Sequence, residues 1–252
     1  MSRVMAGAVA LLVSASVWVS TSTALAGDDA KWSHHSGDIK FVIGFEKGQE
    51  MAQLSGKPMM LFFTTTWCGW CKKLAGESFV DPQVVAELTS FVPVIVDGDT
   101  EKATCQKYGV SGYPNIKFVT SDDKRHAEVA GYVDTKSFLA KVADAKKSIG
   151  EVKFDPKYVR YLSTSAKKLH KEKKYHDALL TILEIQNSGA DEKTVGQAAK
   201  LKEKIEKTAT EALEKAKRVR ENDPAAARKL FETIKKEFFG LEAAKEAAKL
   251  LG

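Results

Sequence analysis

The stretch Met59-Met60-Leu61-Phe62-Phe63-Thr64-Thr65-Thr66-Trp67-Cys68-Gly69-Trp70-Cys71-Lys72, "MMLFFTTTWCGWCK", sets two thiols three residues apart just past an uninterrupted apolar run. Continuous apolar character over "PMMLFF" (58–63) predicts a strand buried on both faces. The following "CKKLAGESF" (71–79) reads as a helix, so the thiols stand at a strand-to-helix turn. Sulfurs at i and i+3 share one helix face, a turn apart. At the helix start, unpaired backbone N–H groups and the positive dipole end favour the thiolate of Cys68. A thiol of ordinary pKa ~8.5 can fall to roughly 3.5–7.5 there. Cys68 is then suited to attack a disulfide and Cys71 to resolve the mixed disulfide that forms. Lys72 adds positive charge beside them.

Three chemistries compete for such a pair. A four-cysteine zinc site wants a second pair, and the third cysteine of the chain, Cys105, stands alone. His34 and His35 could complete a metal site, but adjacent histidines in a polar N-terminal segment read as solvated. Covalent haem needs His after the second Cys, where Lys72 stands. A purely structural disulfide at this spacing closes too small a loop to stabilise much. A reactive pair is the reading that remains, with no metal and no cofactor expected.

Outward from the pair, short apolar runs alternate with helical stretches. Asp81-Pro82 opens a helix with Asp as N-cap and Pro in the first turn. "FVPVIVD" (91–97) and "NIKFVT" (115–120) read as strands, Thr100–Tyr108 as a helix between them, and "HAEVAGY" (126–132) as a hairpin partner. "DTKSFLAKVADAKKSI" (134–149) is an amphipathic helix. Alternation followed by a hairpin predicts a mixed sheet with helices on both faces. After "GEVKFDP" (150–156) Lys, Glu, Ala and Leu dominate, and about five helices joined by short loops are expected. Their small residues at packing positions resemble degenerate tetratricopeptide-like hairpins, without a clean repeat period.

Residues 27–150 hold 15 Lys+Arg and 16 Asp+Glu, a net of −1; residues 151–252 hold 23 and 17, a net of +6. The basic half alternates its charges along helical faces, as in "KLKEKIEKTATEALEKAKR", which is the pattern of a solvated surface. The N-terminus, with Arg3, an apolar stretch from Val4 to Val19 and Ala24-Leu25-Ala26, reads as a secretory signal peptide cleaved after Ala26. An uncleaved anchor is the alternative. Serines and threonines shorten the apolar run below the ~20 residues that a spanning helix needs. Export means an oxidising compartment where disulfides persist, and makes nucleic acid an unexpected partner. Three cysteines cannot staple a fold, so a hydrophobic core must hold it.

"FFTTTWCGWCKKL" (62–74) followed by "YGVSGYPNIKFV" (108–119) resembles the thioredoxin superfamily. With "SFVDPQVVAEL" (78–88) it looks most like exported thioredoxin-like domains, including the periplasmic C-terminal domain of DsbD. The resemblance covers about residues 40–148. It implies Cys68 as attacking thiol, Cys71 as resolving thiol, and a cis proline facing them at Pro114, with Tyr113 presenting its backbone to an extended substrate. It implies that Trp67 packs beside the site. Trp70 reads either as a substrate contact or as an apolar surface spot. The sequence also departs from the family. Phe62 stands where many members bury an Asp, Pro93 where its Lys partner falls, and Gly-Trp replaces the usual Gly-Pro between the cysteines. The usual proton acceptor for the resolving thiol is thereby missing, and Glu77 is the nearest acid. Cys105 reads as a core cysteine or as a third redox thiol.

These readings together lead to an α/β thioredoxin fold at 28–150, a central mixed sheet flanked by helices, followed by an all-α helical-hairpin domain at 155–252. The expected activity is that of a periplasmic or secreted thiol-disulfide oxidoreductase, of reductase or isomerase type. Its partners would be protein disulfides or dithiols, an upstream redox protein and a client of the helical domain. The competing expectation is a non-catalytic scaffold built on the helical domain, with the thioredoxin-like part as a dock.

Overall fold

The computed structural model describes residues 25–252. The signal peptide expected at 1–26 lies, but for its last two residues, outside them. The first elements are helix α1 (Leu25–Ser36), strand β1 (Val42–Ile43) and helix α2 (Phe45–Ser55). Then come β2 (Met59–Thr64), α3 (Gly69–Glu77), α4 (Pro82–Leu88), β3 (Val92–Asp97), α5 (Lys102–Lys107), β4 (Asn115–Val119), β5 (Arg125–Ala130) and α6 (Thr135–Ile149). Five helices follow: α7 (Pro156–Lys171), α8 (Tyr175–Gln186), α9 (Glu192–Asn222), α10 (Pro224–Glu237) and α11 (Glu242–Leu250).

The sheet runs β1-β3-β2-β4-β5. β1, β3 and β2 are parallel, and β4 and β5 add antiparallel. This is the mixed sheet of a thioredoxin fold. β2 lies at its centre, and all six of its residues are buried. Its alternate side chains feed two cores. Met60 and Phe62 join Ile95, Ile116, Phe118, Phe79 and Phe138 on the face covered by α3, α4 and α6. Met59, Leu61 and Phe63 join Val92, Val94, Val96 and Tyr108 on the other. A continuous apolar run is what a strand with helices on both sides requires.

Local chemistry sets the helix starts. The Asp81 carboxylate accepts from the N–H groups of Gln83 and Val84 at 2.9 and 3.1 Å, with Pro82 in the first turn of α4. Asp134 caps α6 through the Ser137 N–H at 2.7 Å. Asp155, Asp191 and Asp223 cap α7, α9 and α10.

The five last helices share a core of their own, with Leu162, Ile182, Ile205, Leu213, Phe231 and Ile234 among its buried members. They are fastened to the first part of the chain at the α2–β2 connection and at the end of α4. The Asp155 N–H donates to the Ser55 carbonyl at 2.8 Å, and Asn187 Nδ2 donates to Thr89 Oγ1 at 2.7 Å. Lys57 Nζ lies 2.7 Å from Glu184 Oε1, both side chains largely buried. The Tyr158 hydroxyl donates to the same oxygen at 2.7 Å.

The N-terminal segment differs from expectation. Rather than a polar stretch with solvated histidines, it forms α1, which lies on α3. Trp32 is buried there, and so is His35. Gly37 ends the helix at φ +54°, and a Cβ on it would lie 2.8 Å from the Ala75 carbonyl oxygen and from Phe79. Glycine supplies both the left-handed backbone and the close approach.

Candidate active site

The turn between β2 and α3 carries the two thiols. Cys68 is the N-cap of α3: its backbone is extended, its own N–H donates to the Thr65 carbonyl at 3.0 Å, and its sulfur accepts the Cys71 N–H at 3.1 Å. Cys68 and Cys71 are joined as a disulfide, their Cα atoms 5.3 Å apart. The sulfur of Cys68 therefore sits against the positive end of the helix, where a developing thiolate meets a backbone N–H donor.

Access is narrower than the open helix start expected from sequence. Cys68 keeps 4% of its surface and Cys71 none. In the disulfide each sulfur covers the other, and both belong to the apolar cluster beneath α3. The asymmetry between them survives, with Cys68 the outer thiol. On either side stand Trp67 and Trp70, 67% and 58% exposed, the largest apolar surfaces near the pair.

Trp67 sits beside the site. Its indole N–H donates to Asp99 Oδ2 at 3.1 Å, and its ring meets Tyr113 edge-on at 6.1 Å. Trp70 leans on Tyr132 at 5.4 Å, and the Lys73 ammonium stands 4.6 Å from the Tyr132 ring centre. The Tyr113–Pro114 peptide bond is cis. The Pro114 carbonyl accepts the Gly131 N–H at 2.8 Å, which ties the loop to the end of β5. Tyr113 reaches back over Gly98, where a Cβ would lie 2.0 Å from its hydroxyl. Only a residue without a side chain allows that ring position.

Cys105 is buried and free, its sulfur 3.9 Å from the Tyr113 hydroxyl. Burial pushes its thiol pKa up, against the pull of the Tyr113 hydrogen bond. Burial, then the bond to Cys105, pushes Tyr113 up to about 12. Both groups stay protonated near neutrality, which fits a core cysteine better than a third redox thiol.

Phe62 packs on Phe79 and Phe41, at 5.3 and 5.8 Å between ring centres. No acid occupies that place. Glu77 is exposed and accepts the Tyr132 hydroxyl. His35, read from sequence as solvated, is the functional candidate that the sequence hid. It is 1% exposed, and neither ring nitrogen has a side-chain partner, the Thr65 backbone being the polar group that acts on the ring. Its i,i+3 spacing from Trp32 was the signal available, and the two rings meet edge-on at 5.2 Å. His34 is exposed. Among the described residues no group of three or more His, Cys, Asp or Glu side chains is placed to hold a metal ion, and no helix is long and apolar enough to cross a membrane.

Residues 45–146 match the thioredoxin-like domain family. Over 121 residues, 42% of this chain, the sequence is 35% identical to protein disulfide-isomerase A3 of Gallus gallus, of which the match covers 23%. Over 105 residues, 39% of this chain, it is 31% identical to the thiol:disulfide interchange protein DsbD of Escherichia coli, of which it covers 19%. Among solved structures, the oxidised C-terminal domain of DsbD from Neisseria meningitidis aligns at 26% identity with a TM-score of 0.31, covering 40% of this chain and 84% of that one. The chain spans about a fifth of the length of these curated relatives.

Proposed function

We propose that this chain is an exported thiol-disulfide oxidoreductase that exchanges disulfides with protein substrates through Cys68-Gly69-Trp70-Cys71. The observation that carries this reading is the linked pair at the N-terminus of α3, with the less buried sulfur, Cys68, accepting a helix N–H. The thioredoxin-like domain and its likeness to disulfide-isomerase and DsbD sequences support the same chemistry.

In the reduced protein the Cys68 thiolate attacks one sulfur of a substrate disulfide and expels the other as a thiolate. Cys71 then attacks the Cys68 sulfur, closing the intramolecular disulfide and releasing the substrate as a dithiol. Two electrons pass from the cysteine pair to the substrate, and no cofactor is needed. Run backwards, the same steps oxidise a dithiol. The exposed faces of Trp67 and Trp70 and the Tyr113–Pro114 loop form the surface on which an extended polypeptide is held. We assign residues 28–150 to this redox domain and 155–252 to a helical domain that recruits a client or redox partner, in the periplasm or outside the cell.

Insulin-disulfide reduction in dithiothreitol, with full-length wild type against Cys68→Ser, tests the proposal. Wild type accelerates precipitation of the insulin B chain and the variant does not. Equal turnover by both would leave a scaffold with a redox-inert dock as the better reading.

A further inference from the structure

The resolving step leaves one requirement unmet by the groups described so far. Cys71 is fully buried. A thiol held out of water resists ionisation, yet Cys71 must lose its proton before it can attack. The ionisable side chains buried in the described residues are nearly all engaged. Asp97 pairs with Lys31, Lys57 with Glu184, and Lys117 with Glu128, at 2.6–2.7 Å. Tyr108 donates to Asp123. His35 is the exception, buried with no side-chain partner at either ring nitrogen.

Its position is held from two directions. The Lys31–Asp97 ion pair fastens α1 to the end of β3. Gly37 abuts Ala75 of α3, and the Asp38 N–H donates to the Phe79 carbonyl at 2.9 Å. Between these anchors His35 lies in the seam of α1 and α3. The backbone of Thr65, whose carbonyl receives the Cys68 N–H, is beside it, and so is the charge of Lys72, the residue after Cys71. Trp32, one turn back on α1, belongs to the same apolar cluster as Cys68 and Cys71. The Thr65 hydroxyl is also buried without a partner.

Resting on the oxidoreductase reading above, we propose that His35 accepts the Cys71 proton as Cys71 resolves the mixed disulfide. The sulfur–hydrogen bond of Cys71 breaks and its proton passes to the imidazole. The Cys71 thiolate forms a bond to the Cys68 sulfur, the mixed disulfide breaks, and the substrate thiolate leaves with the electron pair and takes up a proton from the imidazolium or from water. The charged and polar groups acting on His35 are Lys72 from α3, the Thr65 backbone, and His34 on its own helix. Burial first, then Lys72, holds its pKa below the ordinary histidine value, while the Thr65 backbone works the other way. The ring is therefore neutral near pH 7 and free to take a proton.

The experiment mixes fully reduced full-length protein with less than one equivalent of dithiobis-nitrobenzoate and follows released nitrothiophenolate by stopped flow across pH. The first release reports attack by Cys68, and the second reports resolution by Cys71. In wild type the second phase slows as pH falls through the range below ~6.5 in which His35 becomes charged. In His35→Gln the second phase is slower by about a hundredfold near neutrality, the usual scale for losing a positioned base. Its acid inflection disappears, and the first phase is unchanged. A variant with the wild-type second phase, in rate and pH profile, overturns the proposal. If the variant does not fold, the wild-type profile decides alone, and a second phase without an acid inflection overturns it. A wild type that never yields the second nitrothiophenolate removes the oxidoreductase reading itself, and the His35 proposal with it.

Discussion

Replacing Glu184 by Ala should loosen the helical segment from the sheet more than any surface substitution would. Glu184 on α8 sits 2.7 Å from the Lys57 ammonium, with 17% of the Glu184 side chain and 6% of the Lys57 side chain exposed. The same carboxylate oxygen receives the Tyr158 hydroxyl, and the ammonium lies 5.3 Å from the Phe154 ring centre. Burial depresses the Lys57 pKa, and the Glu184 charge is what opposes the depression. Removing the carboxylate strands a buried cation and a buried hydroxyl. Breaking one side of such a pair costs about 3–5 kcal/mol. For a chain of this size each kcal/mol moves the midpoint by about 2–4 °C, so a fall of roughly 6–20 °C follows. Thermal unfolding followed by circular dichroism near pH 7 measures it. Glu184→Gln, which keeps an acceptor for Tyr158, should lose less. Lys57→Met combined with Glu184→Leu should recover most of the loss, because a buried ion pair replaced by apolar groups is often neutral. A Glu184→Ala midpoint within about 1 °C of wild type, or a double variant weaker than Glu184→Ala alone, would refute the reasoning.

Gly98→Ala puts a Cβ 2.0 Å from the Tyr113 hydroxyl and 2.3 Å from its Cζ, so the ring must move off Cys105. Overpacking of this kind costs about 1–3 kcal/mol. Maleimide labelling of Cys105 should quicken and insulin reduction should weaken; an unchanged labelling rate and midpoint would contradict the placement of Tyr113. Asp97 supplies a pH test. Burial alone would raise its carboxyl pKa, but the Lys31 ammonium and the Asp99 N–H outweigh burial and leave the pKa below the ordinary carboxylate value. Its contribution is then present above the unfolded pKa of ~3.9 and is lost as pH falls below that value. The urea-midpoint gap between wild type and Asp97→Asn should shrink between about pH 5 and pH 3. A gap constant with pH would sink the assignment.

The elements around the redox turn were legible because their signals are local. A six-residue apolar run bounded by turn residues reads as a strand covered on both faces, Asp-Pro ahead of an apolar helical pattern reads as a helix start, and two cysteines at i,i+3 after such a strand narrow the chemistry to a few choices. The Tyr113–Pro114 loop was readable only through family resemblance, since Gly-Tyr-Pro by itself is an ordinary turn. What escaped depends on contacts distant in sequence. Trp32 and His35 are buried because α1 folds back over α3, some forty residues on. Gly98 is needed because of a ring at position 113, and the Lys57–Glu184 pair joins residues 127 apart. β1 is two residues long and has no period to detect. The near-burial of Cys68 also follows from tertiary closure, since the disulfide folds its sulfur against Cys71 and the core, whereas a helix start viewed alone is open.

The ionisation of Cys68 in the reduced protein is the quantity on which the redox chemistry turns. It can be read from the pH dependence of thiolate absorbance or of iodoacetamide alkylation at Cys68. With the sulfur at the N-cap of α3 and the Cys71 N–H aimed at it, its pKa should fall between roughly 3.5 and 7.5. A value at or above the ordinary ~8.5 would mean that the helix start does not activate the thiol, and the proposed exchange would lose its nucleophile.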